Sequence, residues 1–69
     1  MAESVYKIVE VVGSSPDSWE KAAAIAVKRA SSSLRDLRVA EVVEQDMQIE
    51  AGKVKAYRTK LKLSFKMED

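Results

Sequence analysis

Two long β-rich runs, Leu37–Ile49 and Val54–Met67, flank the short segment Glu50-Ala51-Gly52-Lys53, and this arrangement constrains the chain more than any other feature. A brief connection containing glycine between two such runs predicts a β-hairpin. The second run alternates cleanly. Tyr57, Leu61, Leu63, Phe65 and Met67 fall near one face, with Thr59 among them, while Arg58, Lys60, Lys62, Ser64 and Lys66 occupy the other. Such a strand offers one face to a core and keeps the other for water or a partner. The first run is less regular. Ala40 and Val42 share one parity, Val39, Val43, Met47 and Ile49 share the other, and Glu44-Gln45-Asp46 interrupts both. A bulge or a strong local twist is expected there.

Upstream, Ser4 to Val12 carries Val5, Tyr6, Ile8, Val9, Val11 and Val12, a density of β-branched and aromatic residues that predicts a third strand. Gly13-Ser14-Ser15-Pro16 reads as its stop and as the next start, with Gly13 in a turn, Ser15 as helix cap and Pro16 at the first helical position. From Asp17 to about Leu34 the apolar residues Trp19, Ala22, Ala23, Ala26, Val27, Ala30 and Leu34 recur at intervals of three and four, the pattern of a helix with one buried stripe. Asp17 and Glu20 suit the positive end of its dipole. The predicted fold is therefore α+β, a single domain over residues 1–69 in which a three-stranded antiparallel βαββ sheet holds one helix against one face.

A domain this small buries only about 60% of the surface its unfolded chain exposes. Cysteine and histidine are both absent, so neither a disulfide nor a structural zinc site can make up the deficit. The remaining remedy is burial between subunits, and an oligomer is expected. With 46% hydrophobic residues the chain is not of the disordered class, and a net charge of +1 makes it no polycation. Its apolar runs are too short to span a membrane. Met1-Ala2-Glu3-Ser4 does not resemble a secretory signal, so a soluble cytoplasmic protein is expected. Without histidine or cysteine the usual general base and the strongest nucleophile are missing, which argues against an enzyme.

Val5-Tyr6-Lys7, Glu10-Val11-Val12-Gly13-Ser14-Ser15, the alanine-rich helix and Phe65-Lys66-Met67-Glu68 together resemble the dodecin family over nearly the whole chain. The resemblance implies βαββ subunits whose sheet curls around its own helix, assembled as a hollow homododecamer that binds flavin between subunits. It breaks where the flavin would sit. The family's Leu-Asp-Trp-Phe-Glu-Val is here Leu37-Arg38-Val39-Ala40-Glu41-Val42, so Val39 replaces the stacking Trp, and Arg58 replaces a flavin-contacting Gln. In this respect the chain is similar to a dodecin subgroup for which calcium binding has been proposed.

Two ligand readings follow. In the first, flavin (riboflavin, FMN or FAD) is held weakly in an intersubunit slot around Val39, Glu41, Gln45 and Arg58, as a storage protein would hold it. Arg58 could pair with a phosphate or stack on a ring, or else form an ion pair with a carboxylate such as Glu41. In the second, the shell binds calcium or another cation, or is purely structural. Glu41, Glu44, Asp46 and Glu50 form the densest acidic stretch, and Glu44 and Asp46 at the irregularity are the first choices as metal ligands. The same carboxylates could simply face the basic row across the hairpin. Trp19 suits core or subunit packing better than a ligand platform. The row Lys53, Lys55, Arg58, Lys60, Lys62 and Lys66 lacks the interleaved aromatics of a nucleic-acid groove, so no nucleic-acid partner is expected. Gly13-Ser14-Ser15 is a weak match to a phosphate-binding loop, lacking its further glycines and lysine.

Overall fold

A computed structural model of the chain describes residues 3–67; Met1 and Ala2 of the N-terminal reading and Glu68 of the C-terminal motif lie outside the described residues. Four elements follow in the expected order: β1 (Tyr6–Ser15), α1 (Trp19–Ser33), β2 (Leu37–Glu50) and β3 (Lys53–Lys66). The sheet is antiparallel throughout with order β1-β3-β2, so β3 is central and both other strands are edges. The hairpin closes through Ala51 (φ 52°) and Gly52 (φ 74°). Two successive positive φ values give the type I′ geometry whose twist matches that of the strands.

Three details depart from the sequence reading. Gly13 is not in a turn but inside β1, paired with Thr59. A Cβ there would collide with the backbone carbonyl of Ala22 and sit 3.0 Å from the Cβ of Ala26, so glycine is what lets α1 lie against the strand. The helix begins at Trp19 and is capped by Ser18, whose Oγ accepts from the Lys21 N–H at 3.0 Å. Ser15, expected as the cap, instead accepts from the Asp17 N–H at 3.1 Å and is buried in the turn ahead of the helix, with Pro16 beside it.

The irregularity of β2 resolves into bulges. Its pairing with β3 shifts between Leu37 and Val39 and between Val42 and Glu44, leaving Arg38 and Val43 as extra residues on β2. Each extra residue re-phases the alternation. Ala40 and Val42 therefore share the helix-side face with Met47, which the unbroken sequence parity had grouped with Val39. The expected break at Glu44-Gln45-Asp46 falls one residue earlier, at Val43.

Ala22, Leu61, Leu63 and Thr59 are buried between α1 and the sheet, and all the other residues of the predicted helical stripe are at least half-buried. The helix packs on β1 and β3 and scarcely reaches β2. β2 lies on the far side of β3 from β1, and the helix is also much shorter than the strands. Fifteen helical residues span about 22 Å, whereas a 14-residue strand spans about 46 Å. The subunit is correspondingly drawn out, 52 × 20 × 15 Å. It exposes 5393 Å², against about 4,300 Å² for a globular monomer of this mass. Much of that surface is apolar, including Ile8, Val12, Val39, Val42, Met47 and Ile49. Such exposure fits a subunit built to be covered by copies of itself.

Candidate functional site

The register sorts every candidate residue onto one of two faces, because directly paired residues on antiparallel strands share a face. Helix-side pairs include Gln45 with Thr59 and Met47 with Tyr57. On the opposite, open face, Val39 pairs with Ser64, Glu41 with Lys62, Glu44 with Lys60 and Asp46 with Arg58. Of the residues expected around a flavin, Val39, Glu41 and Arg58 thus share the open face, while Gln45 lies on the other side of the sheet. Glu44 and Asp46, the expected metal ligands, are neighbours on the open face. Sequence reasoning passed over Glu10, which pairs with Lys62 from the β1 side. Only the register shows it, since nothing local marks which face of β1 the helix covers.

Arg58 finds Asp46, not Glu41. Its Nε donates to Asp46 Oδ1 at 2.7 Å and its Nη2 to Oδ2 at 2.8 Å, a two-pronged fit of guanidinium to carboxylate. The hydrogen bond from Arg58, aided by its charge, holds the Asp46 carboxyl below the usual carboxylate range, and the same bond pushes the guanidinium higher still. Next along the face, Lys60 Nζ lies 3.2 Å from Glu44 Oε1. Lys55 is bound to Glu50 at 2.9 Å near the turn. These pairings break the basic row into local ion pairs rather than leaving a continuous positive stripe.

Asp46 is also gripped from the helix side. The Trp19 indole N–H donates to the Asp46 carbonyl at 2.9 Å, and Thr59 Oγ1 donates to the Trp19 carbonyl at 3.0 Å. The indole meets the Tyr57 ring edge-on, with centroids 4.9 Å apart. Trp19 is therefore a packing residue that pins β2 to the rest of the subunit. Around Val39 the neighbours in register are Ser64 and, beyond it, Ile8, so no aromatic ring stands beside it in this row. Among the described residues no three acidic, histidine or cysteine side chains of one subunit converge as a metal-binding group. A concavity of about 510 Å³ lies elsewhere, between β1 and α1, and includes Val11, Gly13, Ile25, Ala26 and Ala30 in its walls. No helix among the described residues is long and apolar enough to cross a membrane.

A three-stranded sheet laid along one short helix, with an ion-paired open face, defines a small βαββ subunit. The dodecin family model matches residues 5–68, and the chain belongs to the dodecin family. It is 58% identical over 65 residues to the calcium dodecin of Mycobacterium tuberculosis, covering 93% of this chain and 90% of that protein. The crystal structure of that calcium-chelating antigen, described as having a novel calcium-binding site, superposes with a TM-score of 0.83 over 94% of this chain and 93% of the other, at 56% identity. The dodecin of Streptomyces coelicolor superposes with a TM-score of 0.93 at 43% identity, covering 100% and 99% of the two chains.

Proposed function

We propose that this protein is a dodecin whose homododecameric shell binds a divalent cation, calcium foremost, and is not a flavin store. One observation carries the reading: the position where the family resemblance puts the stacking Trp holds Val39, an exposed aliphatic residue in an aliphatic and hydroxyl row. Loss of aromatic stacking forfeits roughly 1–3 kcal/mol, about ten- to a hundredfold in affinity. The close likeness to a calcium dodecin supports the same choice. Calcium takes six to eight oxygen ligands. Glu44 and Asp46 of one copy supply at most four, so a second copy or water completes the shell of ligands, consistent with a protein that exposes so much apolar surface as a single subunit.

A native mass spectrum of the purified protein, with and without calcium chloride, tests the assembly and the ligand together. A dodecamer taking up calcium is expected, with a rise in melting temperature that Glu44→Gln combined with Asp46→Asn abolishes. A rise unchanged in that double variant would remove the two residues from the site. Bound flavin masses would overturn the reading and return Val39, Glu41 and Arg58 to a flavin slot, where Val39→Trp would tighten binding. A monomer would remove the shell altogether.

A further inference from the structure

We infer that the free edge of β1 is a docking slot for strand β2 of a second copy, so that subunits join head to tail through a shared sheet. This deepens the assembly part of the reading above and does not depend on which ligand the shell takes. The concavity of about 510 Å³ beside β1 carries it. Its walls come from β1, α1 and the helix cap Leu34. Val11 and Gly13 face the helix, whereas Val12 and Ser14 face the opposite side of the sheet, yet all four line the same hollow. A hollow that meets both faces of a strand runs along its edge. Here α1 overhangs that edge with Ile25 and Ala26. The slot thus presents an unpaired strand edge beneath an apolar roof, the combination that receives an added strand.

The strand that fits lies on the same chain. The other free edge of the described sheet belongs to β2. Its helix-side residues Val42 and Met47 are 51% and 45% exposed, because the helix stays over β1 and β3. One placement of the helix produces both halves of the contact, a roof without a strand at one edge and a strand without a roof at the other. The area agrees. The 5393 Å² exposed by one subunit exceeds that of a globular monomer of this mass, about 4,300 Å², by more than the roughly 800 Å² that a standard interface takes from each partner. Because slot and strand are different surfaces, the contact is heterologous. Each copy gives its β2 to one neighbour and its slot to another, an arrangement that closes as a ring.

The chain has no cysteine, so introduced thiols test this cleanly. Ile25→Cys is combined with Val42→Cys or with Met47→Cys, and the assembled protein is treated with a short bismaleimide. All three positions are about half exposed in the subunit, so the fold tolerates the changes. Covalent dimers and larger species on a denaturing gel are expected from at least one double variant and from none of the three single variants. Amide hydrogen exchange of the assembled wild type gives the second readout. An edge strand bonded on one side protects alternate amides, whereas a strand paired on both sides protects consecutive ones. Consecutive protection over residues 11–14 and 40–47 is expected. Cross-linking of Ile25→Cys alone would overturn the inference by making the contact helix to helix, and alternate protection on either strand would overturn the shared sheet. Absence of cross-links from both double variants, in a protein that native mass spectrometry shows assembled, would overturn the inference and leave the proposed function standing. A monomer would overturn both.

Discussion

The two edge strands of this sheet live in different surroundings. β1 pairs along its whole length with β3 and lies under α1, close enough that only glycine fits at position 13. β2 pairs equally far along the other side of β3, yet every one of its fourteen residues but Leu37 is exposed in the subunit. One strand is held by its own subunit. The other awaits something outside it. Nearly all the candidate ligand residues, Val39, Glu41, Glu44, Gln45 and Asp46, stand on the second strand, with Arg58 across from them on β3. A binding surface on the strand that the subunit supports least is one that neighbouring copies can complete and shape.

The sharpest way to break this contrast is at the closed edge. Gly13→Ala forces a methyl group into the Ala22 carbonyl, and because backbone meets backbone there is no rotamer to relieve it. Loss of about 3 kcal/mol or more is expected, read as failure to fold or a collapse of the denaturant midpoint. A normal midpoint would mean that α1 does not lie where the structure has it.

Next comes a matched pair. Leu63→Ala empties a fully buried position and should cost about 2–5 kcal/mol whatever the protein concentration. Ile49→Ala truncates a side chain that is 56% exposed in the subunit. Its cost should appear instead as weaker assembly, a melting temperature that depends more steeply on protein concentration than wild type's. If both variants behave alike across a hundredfold dilution series, β2 is not an interface strand.

That contrast also decides what the sequence could reveal. The helix stripe and the alternation of β3 were readable because both belong to the closed half, where burial within one chain imposes its period on the residues. Trp19 could be assigned to packing for the same reason. On β2 the period is broken by the extra residues Arg38 and Val43, and a bulge moves every later side chain to the other face. Gln45 could therefore be placed in one flavin slot with Val39 and Arg58, though the register puts it with Thr59, and Arg58 could be offered Glu41 as partner when Asp46 is the residue opposite. Gly13 misled in another way. A glycine between a strand and a helix suggests a turn, and only the closeness of α1 shows that its missing side chain matters more than its freedom of φ.

A smaller effect sharpens the hairpin side of the comparison. Ala51 sits at φ 52°, a left-handed conformation that disfavours a Cβ-bearing residue other than Asn or Asp. Ala51→Asn gives the Asn-Gly pair preferred in type I′ turns and should stabilise the protein by about 1 kcal/mol, measured by chemical denaturation. No change would show that the hairpin tip is not formed in the rate- or stability-determining unit of the fold.

The smallest expected effect lies at the site itself. The Asp46 carboxyl is held below its usual range by Arg58, so it binds fewer protons folded than unfolded through that part of the titration. A lowered folded pKa gives stabilisation that is present above the unfolded carboxylate range and fades as the pH falls through the folded value. Both partners are substantially solvated, so the contribution is small. The melting temperature of wild type should therefore exceed that of Asp46→Asn slightly near neutrality, and the difference should close below about pH 4, where an ordinary Asp begins to protonate. Were the difference to persist undiminished at pH 2, where the carboxylate is protonated, it would not come from the Arg58 ion pair, and the pair would be incidental to stability.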